Sequence, residues 1–350
     1  MVAAKRLILY IGVPLVALLL VVGTAVGLIF YYTDPEAAAA NSRKKLVIDH
    51  DGGADDAFAI TMSLLNEKYF CGPNVVALTA TFGNVNISQA VINSDRILSL
   101  VDRQDVPIYK GASKAVIGGI ESDNFYGYDG LGDDGYMAAG PIDYEDQYAA
   151  VALLELSKKY EGDLIIIAVG PVTNLALAAR LDPDFIGRLH QLYVGGGHIY
   201  SEAHPKPEFN AHVDPEAYRI VADSATPDKV TFVPFSQVYD TLNVSQTWRE
   251  DVLGQIPTPT MRALNGFERI SSQSYTAWTQ LDPAVTAVAL HDIADEYRNS
   301  NFSILLEGEK RAINTNDFSS EHPNARLMYA ANKDRYKKFL IDIYSAELSP

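Results

Sequence analysis

The stretch that decides the fold is KLVIDHDGGADDA, which runs from Lys45 to Ala57. Its apolar residues at 46–48 predict a short buried strand, and the apolar residues that follow from position 57 onward have the spacing of a helix over 54–68. Two adjacent glycines between these elements permit a tight turn. We therefore predict a strand, a sharp turn and a helix, with four aspartates gathered at the turn.

The same alternation of short apolar runs and helical spacing continues along the chain. Strands are predicted over 75–82, 164–169, 189–194 and 230–233, and helices over 88–101, 144–159, 174–181 and 215–222. Strands that alternate with helices are typical of a mostly parallel sheet. We predict the α/β class: a single domain over 45–350 with a mostly parallel, Rossmann-like central sheet flanked by helices. Such sheets bind ligands at the carboxyl ends of their strands.

Composition excludes several classes of protein. Hydrophobic residues make up 48% of the 350 residues, so the chain is not intrinsically disordered. The 28 basic and 44 acidic residues give a formal net charge of −16, which argues against nucleic-acid binding because phosphate backbones attract basic surfaces. A single cysteine, Cys71, excludes an internal disulfide framework and a Cys-rich zinc site.

The amino-terminal segment has the composition of a membrane span. Lys5 and Arg6 precede the uncharged segment 7–32, and about 20 apolar residues suffice to cross the hydrocarbon core of a bilayer. The basic flank predicts that residues 1–6 stay in the cytosol and that the span is a signal anchor. The chain beyond a polar linker over 33–44 is then extracellular or lumenal.

Export is also indicated by three N-glycosylation triplets, which begin at Asn86, Asn243 and Asn301. They predict a glycoprotein. The alternative to an anchor is a signal peptide cleaved at the small residues of 37–40, which would make the protein secreted. Under both alternatives the domain that begins at residue 45 leaves the cytosol.

The acidic cluster at the first turn predicts a metal site. Asp49 and Asp51 are two residues apart on a strand and share a face, while Asp55 and Asp56 open the next helix. Two such charges about 4 Å apart repel by about 4 kcal/mol at an effective dielectric constant of about 20. A cation would relieve that repulsion, and oxygen ligands favour Ca²⁺ or Mg²⁺. The alternative is a solvated acidic turn that begins a helix.

Two other uses of this turn can be compared with the sequence. An EF-hand loop that starts at Asp49 needs Gly at its sixth position and Glu at its twelfth, where the chain has Ala54 and Ile60. A Mg²⁺-dependent phosphatase of the haloacid-dehalogenase type would use Asp49 as nucleophile and Asp51 as acid. It expects Thr or Ser soon after Asp51, where Gly-Gly-Ala stands. The EF-hand is excluded, and the phosphatase stays open.

Five motifs in order carry a resemblance to one family. The first is DHDGGADDA at 49–57, in which Gly52 replaces the Pro of the family motif. The others are TFGNV at 81–85, GPVTNLALA at 170–178, PEFN with DPEA within 207–217, and DPAVTAVA at 282–289. The chain therefore resembles the nucleoside hydrolases, the inosine/uridine-preferring ribonucleoside hydrolase family. The resemblance covers about residues 45–290 and implies the nucleoside hydrolase fold.

The resemblance implies a Ca²⁺ cofactor and a catalytic base. Family members hold Ca²⁺ through carboxylates and one backbone carbonyl, and the matching ligands here are Asp51, Asp56, Asp282 and the carbonyl of Thr173. The Thr173 hydroxyl could also cap the helix that begins there, and both roles can hold at once. Asp51 would also be the general base that takes a proton from the attacking metal-bound water.

The resemblance also implies a set of ribose-binding side chains. Those that match the family are Asp55, Asn84, Glu208 and Asn210. Asp49 is expected to support the metal ligands rather than to bind the ion.

Three departures from the family pattern concern the leaving group and the ribose. Leu281 stands where many members have a His that helps to protonate the departing base, Glu202 lies near the place of a ribose-binding Asn, and Tyr126 replaces a His. His291 lies farther along the same helix and is expected to be structural. The remaining candidates for activating the base are Tyr126, Trp278 and Tyr239.

Together these features predict Ca²⁺-dependent hydrolysis of the N-glycosidic bond of ribonucleosides to ribose and a free nucleobase, in nucleoside salvage. The alternatives are the phosphatase and a ribose-binding ectodomain with little or no turnover. Family members often form dimers or tetramers, so a homo-oligomer is a further expectation.

Overall fold

The computed structural model describes residues 43–133, 142–274 and 276–348. The predicted membrane segment at 7–32 lies outside these ranges. Within them, every helix falls short of the length and apolarity that a bilayer crossing requires. The chain from Lys44 onward forms one compact unit.

The strands that build the central sheet are β1 (Lys45–His50), β2 (Asn74–Ala80), β3 (Ile108–Lys110), β4 (Leu164–Ala168), β5 (Gln191–Gly195), β6 (Val230–Val233), β9 (Ala294–Ile304), β10 (Asn314–Asp317) and β11 (Ala325–Ala331). Two short strands, β7 (Val244–Ser245) and β8 (Ala277–Trp278), form a separate antiparallel pair. The predicted strands β1, β2, β4, β5 and β6 are all present, with ends that differ from the prediction by at most two residues.

The longer helices are α1 (Ala54–Phe70), α2 (Ile87–Leu100), α3 (Ala149–Lys159), α4 (Thr173–Leu181), α7 (Pro215–Asp223), α8 (Phe235–Leu242), α10 (Pro259–Phe267), α11 (Leu281–His291) and α12 (Lys333–Ser345). Shorter helical segments are α5 (Phe185–Arg188), α6 (Phe209–Val213) and α9 (Gln246–Asp251), with 3₁₀ turns at Leu253–Gln255, Ser271–Ser274 and Ala346–Leu348.

The described strands form a nine-stranded sheet in the order β10-β9-β11-β6-β5-β4-β1-β2-β3. Every pairing from β11 to β3 is parallel, and only the pairings of β9 with β11 and with β10 are antiparallel. The sheet is therefore mostly parallel, as predicted. The polar residues that follow β1, β2, β4 and β5 meet at its carboxyl edge.

The sheet is covered on both faces, and strand β4 shows why. Leu164, Ile166 and Ala168 belong to one core cluster, with helices α3, α4 and α7, whereas Ile165 and Ile167 belong to the other. That second cluster contains helices α1, α2, α10, α11 and α12. Because successive strand residues point to opposite faces, a strand buried between two layers is apolar at every position.

One predicted boundary is wrong. Helix α3 begins at Ala149, five residues after the predicted start at 144. The backbone N–H of Glu145 donates to the carbonyl of Ile108 at 2.9 Å, and Glu145 bridges to Tyr109 of the edge strand β3. This pairing holds the segment in an extended conformation, so the helix begins only after it.

Candidate functional site

The turn after β1 aims Asp51 into a cavity at the carboxyl edge of the sheet. Gly52 has φ of +84°, a left-handed conformation that glycine adopts without strain. The Oδ2 atom of Asp51 accepts the backbone N–H of Asn84 at 2.7 Å. It also packs against Gly83, where a Cβ atom would collide with it. The glycine after β2 is thus required by the close approach of the Asp51 carboxyl group.

Asp56 is fixed by the same turn. Its Oδ1 accepts the N–H of Asp51 at 3.1 Å, and its Oδ2 accepts the N–H of Gly53 at 2.6 Å. The carboxylate therefore caps the start of α1, where unpaired backbone donors favour an anion. Both hydrogen bonds to the Asp56 carboxylate join residues within the DHDGGADD stretch, so they follow from the local sequence.

Three buried carboxylates converge from α1 and α11. One oxygen each of Asp55, Asp56 and Asp282 lies within 4.8 Å of the others. The Asp51 carboxyl group repels those of Asp56 and Asp282. Asp282 lies more than two hundred residues from the first turn, so only the fold brings these groups together.

Burial and mutual repulsion shift the titration of these groups. Burial raises the pKa of Asp51, Asp55 and Asp282 well above the ordinary value, and repulsion from neighbouring carboxylates raises each pKa further. The pKa of Asp56 is raised to about 6, again chiefly by burial. Each of these groups therefore binds a proton more readily than an ordinary carboxyl group does.

A divalent cation fits this donor set. The convergent side-chain atoms are all carboxylate oxygens, which are the ligands that Ca²⁺ and Mg²⁺ prefer. The Oδ1 atom of Asp55 is buried and has no hydrogen-bond partner among the described residues. A buried oxygen without a hydrogen-bond partner and several like charges close together both cost free energy. One bound cation would lower both costs.

Asp49 supports the cluster from behind. Its Oδ2 accepts hydrogen bonds from the Thr79 hydroxyl at 2.6 Å and from the Asn174 amide at 2.9 Å, and burial raises its pKa to about 7. The side chain is fully buried and does not line the cavity. This placement leaves Asp49 unsuited to the nucleophilic role that the phosphatase hypothesis assigns to it.

Thr173 is the first residue of α4 and is buried. Its hydroxyl donates to Asp214 Oδ2 at 2.6 Å and Val172 is the N-cap residue of α4, so the predicted role of this hydroxyl as a helix cap is wrong. The Thr173 side chain is thus occupied by its hydrogen bond to Asp214. The backbone carbonyl of Thr173 remains the predicted metal ligand.

Glu208 and Asn210 lie at the start of α6. Glu208 is the N-cap residue, and its carboxylate accepts the N–H groups of Asn210, Ala211 and Gly197. Burial raises the pKa of Glu208, while these backbone bonds act in the opposite direction. The Asn210 amide donates to the carbonyl of Val169 at 2.7 Å. Both side chains are buried and line the cavity.

The cavity has a volume of about 450 Å³. It is lined by Asp51, Asp55, Asn84, Asp123, Phe125, Tyr126, Val169, His198, Pro207, Glu208, Phe209, Asn210, Phe235, Tyr239, Ser274, Thr276, Ala277, Thr279, Gln280, Leu281 and Asp282. All four predicted ribose-binding residues are in this set. We call the rings of Phe125, Tyr126, His198, Phe235 and Tyr239 the aromatic lining.

His198 is held rigidly in the aromatic lining. Its ring stacks on His204 with centroids 5.1 Å apart, and its backbone N–H donates to Asn314 Oδ1 at 3.0 Å. Burial lowers the pKa of His198 to about 4, so the imidazole is neutral at pH 7. A neutral imidazole offers one hydrogen-bond donor and one acceptor.

Of the residues that depart from the family pattern, some line the cavity and one lies at the surface. Leu281 lines the cavity beside Asp282, whereas Glu202 is exposed and does not line it. Tyr126 and Tyr239 line the cavity. His291 is exposed at the end of α11 and stacks on Phe339.

Trp278 is buried outside the cavity lining, where its indole N–H donates to Glu268 Oε1 at 2.7 Å. It is therefore not placed to activate a base in this cavity.

The sequence analysis did not identify three residues that line the cavity or lie directly behind its lining. His198 and Gln280 line the cavity, and Glu268 lies behind it. His198 follows the glycines that end β5, so its position at a strand end was a usable signal. Glu268 and Gln280 lie outside the helices predicted from the sequence, and the spacing of the neighbouring residues does not single them out.

The family model described as inosine-uridine preferring nucleoside hydrolase matches residues 46–338. The chain belongs to this family. It is 35% identical over 190 residues to "Probable uridine nucleosidase 2" of Arabidopsis thaliana, an alignment that covers 52% of this chain and 57% of the relative. It is 28% identical over 181 residues to the "Inosine-uridine preferring nucleoside hydrolase" of Leishmania major, which covers 51% and 56%. The chain thus aligns with little more than half the length of these curated relatives.

Solved structures show that this chain has the nucleoside hydrolase fold. The "Purine-Preferring Ribonucleoside Hydrolase from Gardnerella vaginalis" superposes with a TM-score of 0.78 at 24% identity, over 87% of this chain and all of that one. The "Inosine-Guanosine Nucleoside Hydrolase" superposes with a TM-score of 0.77 at 23% identity, over 86% and 98%. At these identities the likeness concerns the fold.

Proposed function

We propose that this protein hydrolyses the N-glycosidic bond of ribonucleosides and releases ribose and a free nucleobase. One observation carries the proposal: a single cavity of about 450 Å³ brings together Asp51, Asp55 and Asp282 with the polar side chains of Asn84, Glu208 and Asn210. Carboxylates and amides that surround a small cavity suit a polyhydroxylated ligand such as ribose. The names of the relatives support the same substrate class.

The proposed cofactor is Ca²⁺, held by Asp51, Asp56, Asp282 and the carbonyl of Thr173, with Asp55 close enough to join the set. A bound divalent cation would lower the pKa of a water molecule and supply positive charge at the site. The convergent oxygen atoms support this choice over a transition metal, since no His or Cys is among them.

Asp51 is the proposed general base. Its Oδ2 is anchored by the N–H of Asn84, so the carboxylate keeps its direction while it accepts a proton from the attacking water. The water oxygen bonds to C1′ and the C1′–N bond breaks. The electron pair leaves with the base nitrogen, which takes up a proton. Tyr126 and Tyr239 are the cavity hydroxyls proposed to assist that departure.

The deciding experiment measures ribose released from inosine, uridine, adenosine and cytidine by the full chain with Ca²⁺. We expect ribose and free base from at least one nucleoside, and no activity from Asp51→Ala. Asp223→Asn, which alters an exposed ion pair on α7, is the matched control and should retain activity. Phosphate released from nucleotides without free base would favour the phosphatase instead. Ribose binding without turnover would favour the binding ectodomain.

We also propose that residues 7–32 anchor the protein in a membrane with the domain on the extracellular or lumenal side. The uncharged run with its basic flank supports this. Resistance of the membrane-bound protein to alkaline extraction is the expected result. Release into the medium would indicate a cleaved signal peptide.

A further inference from the structure

The turn at Gly52 and Gly53 packs against a loop that forms part of the cavity wall. This loop, over 125–133, carries two rings of the aromatic lining. A Cβ atom at Gly53 would lie 2.9 Å from the Tyr126 ring, and one at Gly130 would lie 2.8 Å from the carbonyl oxygen of Gly52. Glycines allow the two backbone segments to approach this closely. The position of the two rings therefore depends on how the loop is attached to the turn.

The side-chain amide of Asn93 joins the loop to the turn. Asn93 lies on α2 and is fully buried. Its Nδ2 atom donates to the carbonyl of Gly52 at 2.7 Å and to the carbonyl of Asp129 at 2.7 Å. These two bonds use both hydrogens of the amide nitrogen. One side chain thus holds the backbone of the turn and the backbone of the loop at the same time.

Arg96, one turn farther along α2, fixes the orientation of this amide. Its Nη1 atom donates to Asp129 Oδ2 at 3.0 Å and to Asn93 Oδ1 at 3.4 Å, and the Gln89 amide donates to the same Asn93 oxygen at 3.0 Å. A guanidinium can only donate, so the Asn93 oxygen faces Arg96 and the Asn93 nitrogen faces the two carbonyls. The Asn93 amide is therefore hydrogen-bonded on both of its atoms.

Asp129 attaches the loop from its own side. Its Oδ1 atom accepts the backbone N–H groups of Leu131 at 2.8 Å and of Asp133 at 2.9 Å, while its Oδ2 atom bonds to Arg96. Arg96 is almost fully buried and Asp129 is partly buried, so the ion pair is shielded from solvent. One carboxylate thus determines both the shape of the loop and its attachment to α2.

We propose that Asn93 and Arg96 are positioning residues that hold the Phe125 and Tyr126 rings in place for the nucleobase. Neither Asn93 nor Arg96 lines the cavity, so both act through the loop. The inference rests on the proposed function and adds a determinant of affinity for the base. A ring that is already fixed loses less conformational entropy when the base binds than a ring that must first be ordered.

The acidic cluster is held independently of this attachment. Asp51 Oδ2 accepts the N–H of Asn84 at 2.7 Å, and Asp56 Oδ1 accepts the N–H of Asp51 at 3.1 Å. Loss of the bonds made by Asn93 and Arg96 should therefore loosen the rings and leave the carboxylates in place. Binding of the base should weaken, while binding of ribose should not.

The test measures kcat and KM for inosine and for uridine, and the inhibition constant of free ribose, with the full-length protein and Ca²⁺. Asn93→Leu keeps the size of the side chain and removes both N–H donors. It should raise KM for both nucleosides about tenfold, because two loosened rings must be ordered when the base binds. The inhibition constant of ribose, which has no base, should stay within about twofold of the wild-type value. A purely structural role would lower the fraction of folded enzyme, and with it kcat, without changing KM.

Two further variants test the same attachment from other sides. Arg96→Leu removes the cation that holds Asp129, and since that carboxylate is partly exposed, water can hydrate it and the variant should fold. Gly130→Ala places a methyl group against the Gly52 carbonyl and pushes the loop away from the turn. Both should raise KM as Asn93→Leu does, whereas Arg96→Lys, which keeps the cation, should raise it less.

Tyr344→Phe is the matched control. It removes a buried tyrosine hydroxyl that bonds to Thr61, outside the cavity. It should lower the melting temperature and leave both KM and the inhibition constant of ribose unchanged. This control separates a loss of stability from a loss of positioning.

Two results would overturn the inference while the proposed function stands. One is an unchanged KM in folded Arg96→Leu and Gly130→Ala proteins. The other is a rise in the inhibition constant of ribose that equals the rise in KM, which would mean that the substitutions disturb the acidic cluster rather than the rings. A wild-type protein that releases no ribose from any nucleoside would instead overturn the proposed function, and this inference with it.

Discussion

The acidic cluster and the aromatic lining belong to the same cavity but are built in different ways. Asp51, Asp55 and Asp56 lie on one strand–turn–helix unit, in which Asp56 accepts the backbone N–H groups of Asp51 and Gly53. The rings of the aromatic lining come from three separate segments: the loop after β3 and helix α8, which provide two rings each, and the loop after β5, which provides His198. Three of the four carboxylates of the cluster are thus placed by local structure and only Asp282 is added by the fold, whereas the lining is wholly a product of tertiary packing.

Because the two regions are built differently, we expect substitutions in them to have different effects on activity and specificity. A substitution in the acidic cluster disturbs several buried carboxylates at once, because their charges interact. A substitution in the aromatic lining changes one ring in contact with its neighbours. We therefore expect the cluster to determine whether water is activated, and the lining, which includes Tyr126 and Tyr239, to determine which base is accepted and released.

The largest expected effect tests the acidic cluster. Asp51→Asn preserves shape but cannot accept the proton of water, so kcat should fall by about a thousandfold. The Asn84 N–H can still bond to the side-chain oxygen, and the fold should persist. Steady-state ribose release measures the loss, and an unchanged melting temperature confirms folding. Near-normal kcat in this variant would remove the cluster from the chemistry.

The same contrast explains how much the sequence could predict. The DHDGGADDA stretch predicted β1, its turn and α1, because each depends on neighbouring residues. Asp282 and Glu208 could be assigned only by resemblance, since nothing local links them to residue 51. The hydrogen bonds that join Gln280 to Glu268 and to Tyr126 could not be predicted, because they join residues up to 154 positions apart through side-chain packing.

The next prediction concerns the metal and pH. Burial raises the pKa of Asp56 to about 6 and that of Asp49 to about 7. A carboxyl group with a raised pKa binds protons more tightly in the folded protein. Its contribution to stability is present below about pH 4 and is lost as pH rises towards 7. Metal binding requires the deprotonated form, so it should oppose this loss.

Thermal unfolding with Ca²⁺ and with a chelator measures that linkage. Saturating Ca²⁺ should raise the melting temperature by about 5 °C at pH 8 and by much less at pH 5. The buried His50 and His198 have lowered pKa values, of about 3 and 4, and act in the opposite direction. Comparing the two samples at each pH removes their contribution. An equal Ca²⁺ effect at both pH values would contradict a carboxylate site.

A smaller effect tests the departure at position 281. Leu281 lines the cavity next to Asp282. In Leu281→His the carboxylate cluster should raise the pKa of the new imidazole, which could then protonate a departing base. We expect kcat for inosine to rise about tenfold. Hydrolysis of p-nitrophenyl riboside, whose leaving group needs no proton, is the control and should not rise. Equal gains on both substrates would indicate an effect other than acid catalysis.

The smallest effect concerns the aromatic lining. His198→Phe keeps a flat ring beside His204 and Phe235 but removes the nitrogen atoms of the neutral imidazole. We expect the His198 imidazole to hydrogen-bond to the bound base, and the substitution removes that bond. One such bond is worth about 1 kcal/mol, which corresponds to a several-fold change in KM. The ratio of kcat/KM for inosine to that for uridine should shift by about threefold, with kcat nearly constant. A fall in kcat equal to that caused by Asp51→Asn would mean that the lining shares in the activation of water, and the division of roles between the two regions would fail.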